Sequence, residues 1–123
     1  MPNRPKYLNL MQIKLPLPGI ISIMHRLSGA VLFLALPLLL YVFQQSVVSF
    51  GAFNDLRMFF SSVLVKLVVL GLFWGFFHHL CGGIRYLALD LDVGVALETA
   101  RASSRWVMAG GIVLTVLMGL QIW

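Results

Sequence analysis

Three long blocks of apolar residues constrain this chain more than any other feature. They run from about Leu27 to Phe50, from about Met58 to Leu87 and from about Ser104 to Trp123. A helix needs about 20 mainly apolar residues to cross the hydrocarbon core of a bilayer, and each block is long enough. None alternates polar and apolar residues as a half-buried strand would. With 60% hydrophobic and 11% charged residues, the chain is too apolar for an ordinary soluble domain of its size. The blocks predict an all-α membrane protein with three transmembrane helices, a single membrane-anchor domain over residues 1–123 without soluble domain, linker or repeat. Pro37 falls inside the first block, where a membrane helix tolerates it and a kink is expected. The segment LPLPG (residues 15–19) breaks any earlier helix, and from Ile20 a helix can begin below the hydrocarbon. The first apolar run is too long for a cleaved signal peptide and has no evident small-residue cleavage site, so it reads as a retained span.

Orientation follows from lysine and arginine. Arg4, Lys6, Lys14 and Arg26 precede or open the first block. Arg85, Arg101 and Arg105 flank the connection between the second and third, whereas the first connection has Arg57 and the C-terminus has none. Cytoplasmic loops carry the excess of basic residues. The N-terminus and second connection are therefore expected in the cytoplasm, and the C-terminus in the periplasm, in a multi-pass protein of the bacterial inner membrane. The net charge of +5 is spread along the edges of the apolar blocks. That pattern suits lipid headgroups and argues against nucleic acid as a partner. The lone Cys81 excludes an internal disulfide and reads as a small buried residue.

Inside the second block the run FFHHLCGGIRY (residues 76–86) keeps two adjacent histidines and two adjacent glycines. On one helix His79 has Gly75 at i−4, Gly82 at i+3, Gly83 at i+4 and Tyr86 at i+7, and Gly71 extends the groove. His78 has Trp74 and Cys81 on its face, which is bulkier. A large flat cofactor would find room beside His79, and histidine is a usual axial ligand of haem. The same glycines also describe close helix packing, and a histidine can simply bond a neighbour. Arg85 lies about 9 Å along the helix from His79. A haem on His79 would bring its propionates within reach of Arg85 and Arg26, although snorkelling to lipid phosphate describes Arg85 equally well.

A second constellation, SIMHRLSG (residues 22–29), enters the first span from the same side. Ser22 and Arg26 are i, i+4, and His25 is i+3 from Ser22. A hydroxyl, an imidazole and a guanidinium at one membrane depth suit a small carbonyl ligand that gains charge on reduction. On spacing alone the plainer reading carries more weight: a serine-capped first turn with basic residues at the headgroups.

Taken together, RPKYLNL, LPLPGIISIMHRLSG and HLCGGIR with the following Asp90 resemble the cytochrome b membrane-anchor subunits of succinate dehydrogenase, complex II. The resemblance covers the full length, and the pair S-x-x-H-R-x-S-G and H-x-x-x-G-I-R is specific where neither motif alone would be. It implies an anchor in a heteromeric helix bundle with a second small membrane-anchor subunit. The two hold one haem b, each giving one axial histidine. His79 matches the iron ligand, Ser22 and Arg26 match the ubiquinone contacts, and His25 matches a residue near the propionates and the quinone pocket. An iron–sulfur subunit and a flavoprotein subunit are the implied soluble partners. The chain is then not an enzyme alone but a subunit of a succinate:quinone oxidoreductase, passing electrons to quinone in the respiratory chain and tricarboxylic acid cycle. Many members have histidine after G-I-R, where this chain has Tyr86. A tyrosine can hydrogen-bond a propionate but brings no positive charge. Two alternatives stay open: the anchor of a fumarate reductase, and a structural membrane protein with no cofactor.

Overall fold

The computed structural model describes residues 13–123; Arg4, Lys6 and the RPKYLNL segment lie outside the described residues. Four helices follow one another: α1 (Leu17–Val48), α2 (Phe50–Ser61), α3 (Val63–Asp90) and α4 (Leu97–Ile122). All regular structure among the described residues is helical. Helices α1, α3 and α4 are long and apolar enough to cross a membrane, as the three blocks predict.

The helices overrun the blocks. α1 has 32 residues, roughly 48 Å at 1.5 Å per residue, against a hydrocarbon core of about 30 Å. It starts ten residues ahead of Leu27, and α4 starts seven ahead of Ser104. A hydropathy edge marks where lipid ends. A helix continues past it for as long as its backbone can bond itself. The start of α1 is set by Pro16, extended at φ −66° and ψ 154°, with Pro18 in the first turn. Proline is tolerated there because first-turn N–H groups have no intrahelical acceptor. α1 runs on through Pro37.

The expected second span is corrected at its beginning. Residues 58–61 close a separate 12-residue helix, α2, which also takes up what was read as a loop around Arg57. Two serines delimit it. Ser49 is extended and its hydroxyl accepts from the Ala52 N–H at 3.1 Å. Ser62, at φ −64° and ψ 133°, breaks the chain again before α3. An apolar run cannot reveal a break that depends on one capped residue.

Helices α1 and α4 both run antiparallel to α3. Gly29 of α1 meets His79 of α3, while Gly82 of α3 meets His25 of α1. Along the other side, a Cβ at Gly119 would lie 2.9 Å from Leu70, one at Gly111 would lie 3.4 Å from the His78 backbone, and Arg85 bonds Ala100. The start of α1, the end of α3 and the start of α4 are thus at one end of the bundle, with Arg26, Arg85, Arg101 and Arg105. At the other end the Lys66 ammonium sits over the Trp123 ring, 5.3 Å from its centroid.

The interior is unusual for a protein. Among the described residues the buried apolar side chains are Ile21 and Val107, while Ser28, His78, Arg85, Ser104 and Thr115 are buried polar ones. Leu, Phe, Val and Ile instead cover the outside. In lipid this is a sound arrangement, because apolar side chains lose nothing by facing acyl chains and small residues let helices approach. Ser104 and Thr115 satisfy their hydroxyls inside α4, bonding the carbonyls of Ala100 at 2.8 Å and Gly111 at 2.6 Å.

Candidate functional site

The site forms where α1 and α3 exchange a histidine for a glycine. His25 on α1 and His79 on α3 stack, with ring centroids 4.0 Å apart and planes 7° from parallel. Each ring lies on the other helix at a glycine. A Cβ at Gly29 would be 2.8 Å from His79 Cε1, and one at Gly82 would be 2.9 Å from His25 Cδ2. Real Cβ atoms do not approach that closely, so both glycines are required by close approach. The groove expected around His79 is therefore corrected in part. Gly82 and Gly83 accommodate the His25 ring, and the glycine that bares the space at His79 is Gly29. Gly71 and Gly75 have no atom within 4 Å of where a Cβ would stand. One helix turn from His79, α3 thus presents an open face.

The His79 ring is oriented from α1. Its Nδ1 lies 3.0 Å from the His25 carbonyl oxygen and 3.3 Å from Ser28 Oγ. A carbonyl can only accept, so Nδ1 carries the proton and donates. The neutral ring then keeps its lone pair on Nε2, the nitrogen left for a metal. The Ser28 hydroxyl, itself buried, donates to the same carbonyl at 2.9 Å.

Ser22 and Arg26 lie on α1 beside this cluster; Ser22 is half-buried and Arg26 exposed. His25 turns its face to His79, and the Tyr86 ring meets it edge-on at 5.0 Å. The Tyr86 hydroxyl is buried without a hydrogen-bond partner among the described residues. Arg85 takes another direction. It is i+7 from His78, hence on the α4 side of α3, and donates from Nε to Ser103 Oγ at 2.9 Å and from Nη2 to the Ala100 carbonyl at 3.3 Å. Two of its five N–H groups are so used. His25, Ser28 and His79 are brought together, whereas Arg85 is drawn onto α4.

His78 is fully buried inside the chain, between α3 and Gly111 of α4, and stacks on Trp74 at 5.4 Å. Neither ring nitrogen has a hydrogen-bond partner among the described residues. Asp92 also has a backbone task. It follows the end of α3 in the left-handed region, at φ 59°. Its N–H bonds Leu89 and that of Val93 bonds Ala88, the paired bonds that close a helix C-terminus.

Sequence reasoning gave Ser28 and Gly29 no role, although both stand in the SIMHRLSG motif. The partner of each is 50 or 51 residues away, beyond any intrahelical spacing. The i+3 relation of Ser28 to His25 was the available signal.

The family model described as succinate dehydrogenase/fumarate reductase transmembrane subunit matches residues 1–118. The chain is 36% identical over 115 residues to the succinate dehydrogenase cytochrome b556 subunit of Paracoccus denitrificans, covering 94% of this chain and 88% of that protein. To the protein of the same name from Coxiella burnetii it is 35% identical over 121 residues, covering 98% and 97%. The Rickettsia felis protein of that name is 29% identical over 115 residues, covering 94% and 90%.

Proposed function

The chain belongs to the succinate dehydrogenase/fumarate reductase transmembrane subunits, and from that premise we propose that it half-ligates one haem b through His79 and helps form a ubiquinone-reducing site with Ser22 and Arg26. The observation that carries the reading is the His79 ring, whose Nδ1 is engaged by the His25 carbonyl so that Nε2 is the free nitrogen. The residues present fit the cofactor. A flat macrocycle needs bare helix beside its ligand, and Gly75 and Gly71 leave such a face. Bound there, haem b supplies a one-electron store close to the quinone.

The chain's own groups then have distinct tasks. His79 would offer its Nε2 lone pair to the iron, and a second small membrane-anchor subunit would supply the other histidine. Arg26, exposed at the same end, offers a full positive charge to propionate or quinone oxygen. His25 borders both. Arg85 holds α3 to α4 and keeps its remaining N–H groups for a propionate. Ser22 donates a hydrogen bond to a quinone carbonyl, and the Arg26 charge favours that oxygen as electrons reach it. Electrons come from an iron–sulfur subunit, fed by a flavoprotein that oxidises succinate. Both dock at the basic end of the bundle, in the cytoplasm of a bacterium whose inner membrane holds the anchor. The succinate dehydrogenase names of the relatives support quinone reduction over the fumarate-reducing direction.

The test is made on the purified complex. His79→Leu is expected to abolish the normal reduced-minus-oxidised haem spectrum, and His78→Leu to leave its shape intact. Ser22→Ala removes a hydrogen bond worth about 0.5–1.5 kcal/mol net, so quinone reduction should fall severalfold to about tenfold. Arg26→Leu should cost more. Succinate oxidation with an artificial acceptor that draws on the soluble subunits should stay near wild type in both. Loss of the spectrum in His78→Leu but not His79→Leu would overturn the ligand assignment. Equal losses in the two assays would overturn the quinone role.

A further inference from the structure

We propose that Ser28 is a positioning residue for the His79 ring and sets how strongly that ring donates to iron. The inference rests on the haem reading above. It concerns only this chain's atoms: the Ser28 hydroxyl, the His25 carbonyl and the His79 imidazole.

The three groups form a closed triangle, with Ser28 Oγ to the His25 carbonyl at 2.9 Å, His79 Nδ1 to that carbonyl at 3.0 Å and Nδ1 to Ser28 Oγ at 3.3 Å. Proton placement in it is determined. The carbonyl has no proton to give, so both the hydroxyl and Nδ1–H point at it. Were Nδ1 bare, its lone pair would face the carbonyl's lone pairs at 3.0 Å, which is repulsive. Ser28 is only 6% exposed, so water does not compete for its hydroxyl as it would at a surface.

The consequence lies in the shared acceptor. A carbonyl that already receives one proton donor is a weaker acceptor for the next. The Ser28 hydroxyl therefore moderates the Nδ1–H bond of His79. Hydrogen bonding at the outer nitrogen of a ligating histidine raises its basicity toward the metal. Removing the hydroxyl hands the carbonyl to Nδ1–H alone. The longer Nδ1 contact to Ser28 is lost as well, but at 3.3 Å it is the weaker of the two. The net effect is a more basic Nε2, which favours the ferric state.

Ser28→Ala keeps the Cβ and the helix and deletes only the oxygen. In the purified complex with haem content at the wild-type level, the haem midpoint potential should fall, beyond the spread among wild-type preparations. The low-spin ferric electron paramagnetic resonance g-values should move with it. Ser28→Thr, which restores a hydroxyl at the same atom, should return both toward wild type. A merely structural role would change haem content or complex yield and leave the potential of the remaining haem in place. An unchanged or raised potential in Ser28→Ala, at full haem content, overturns the inference and leaves the haem reading standing. If Ser28→Ala loses haem altogether, the role of Ser28 is structural and the inference is overturned. Absence of haem from the wild-type complex overturns the haem reading and this inference with it.

Discussion

A histidine at position 25 and one at position 79 can stack only because each finds a glycine on the opposite helix. The two substitutions that fill those places should not behave alike. Gly29→Ala sets a methyl group 2.8 Å from Cε1 and 3.3 Å from Nδ1 of His79. It displaces the ring that offers Nε2, so the complex should lose haem or show an altered ligand field. Gly82→Ala sets its methyl 2.9 Å from Cδ2 of His25. His25 has to move there, and His79 keeps its bond to the backbone carbonyl. The haem spectrum should survive while quinone reduction suffers. Spectra and paired quinone and artificial-acceptor assays on both variants check this, and a Gly82→Ala complex without haem would count against it. At this scale the sequence was legible along each helix. Ser22, His25 and Arg26 share a turn and His79 follows a glycine pattern, all readable from i, i+3 and i+4. Which glycine faces which histidine was not readable, because it depends on the register between two helices. Nothing within either motif fixes that register.

Elements tell a similar story. The three apolar blocks revealed α1, α3 and α4, since the bilayer demands a minimum length of apolar helix. They did not reveal α2, whose limits rest on Ser49 and Ser62 rather than on hydropathy. Nor did they reveal the closure of α3. Asp92 occupies a left-handed position that L-residues other than asparagine, aspartate and glycine adopt at a cost of about 1–2 kcal/mol. That makes the residue a backbone device. Asp92→Gly should leave the complex at least as heat-resistant as wild type and leave quinone reduction unchanged. Asp92→Val should lower thermal stability by roughly the amount just given. Thermal inactivation curves of the detergent-purified complex compare the two directly. A large loss of quinone reduction in Asp92→Gly would assign the carboxylate a proton-handling role instead.

At the scale of the whole molecule, antiparallel packing gathers Arg26, Arg85, Arg101 and Arg105 at one end, with His25 and His79 close by. If basic residues fix that end in the cytoplasm, compartment-sensitive reporters should give a cytoplasmic signal ahead of residue 1 and a periplasmic one after Trp123. The reverse would place quinone and haem chemistry away from the soluble subunits and remove the basis for their docking there. The buried set, polar and small inside a coat of leucine, valine and phenylalanine, also carries a consequence for how such a chain drifts in a population. In a soluble protein the large apolar side chains are the ones a lineage can least afford to exchange. Here the exchangeable positions are expected among them: the exposed Leu34, Leu38 and Leu120 trade with isoleucine, valine or phenylalanine at little cost wherever no partner helix covers them. The intolerant positions in a saturation-mutagenesis survey should be Ser104, Gly111 and Thr115, residues that would pass for surface in a protein dissolved in water.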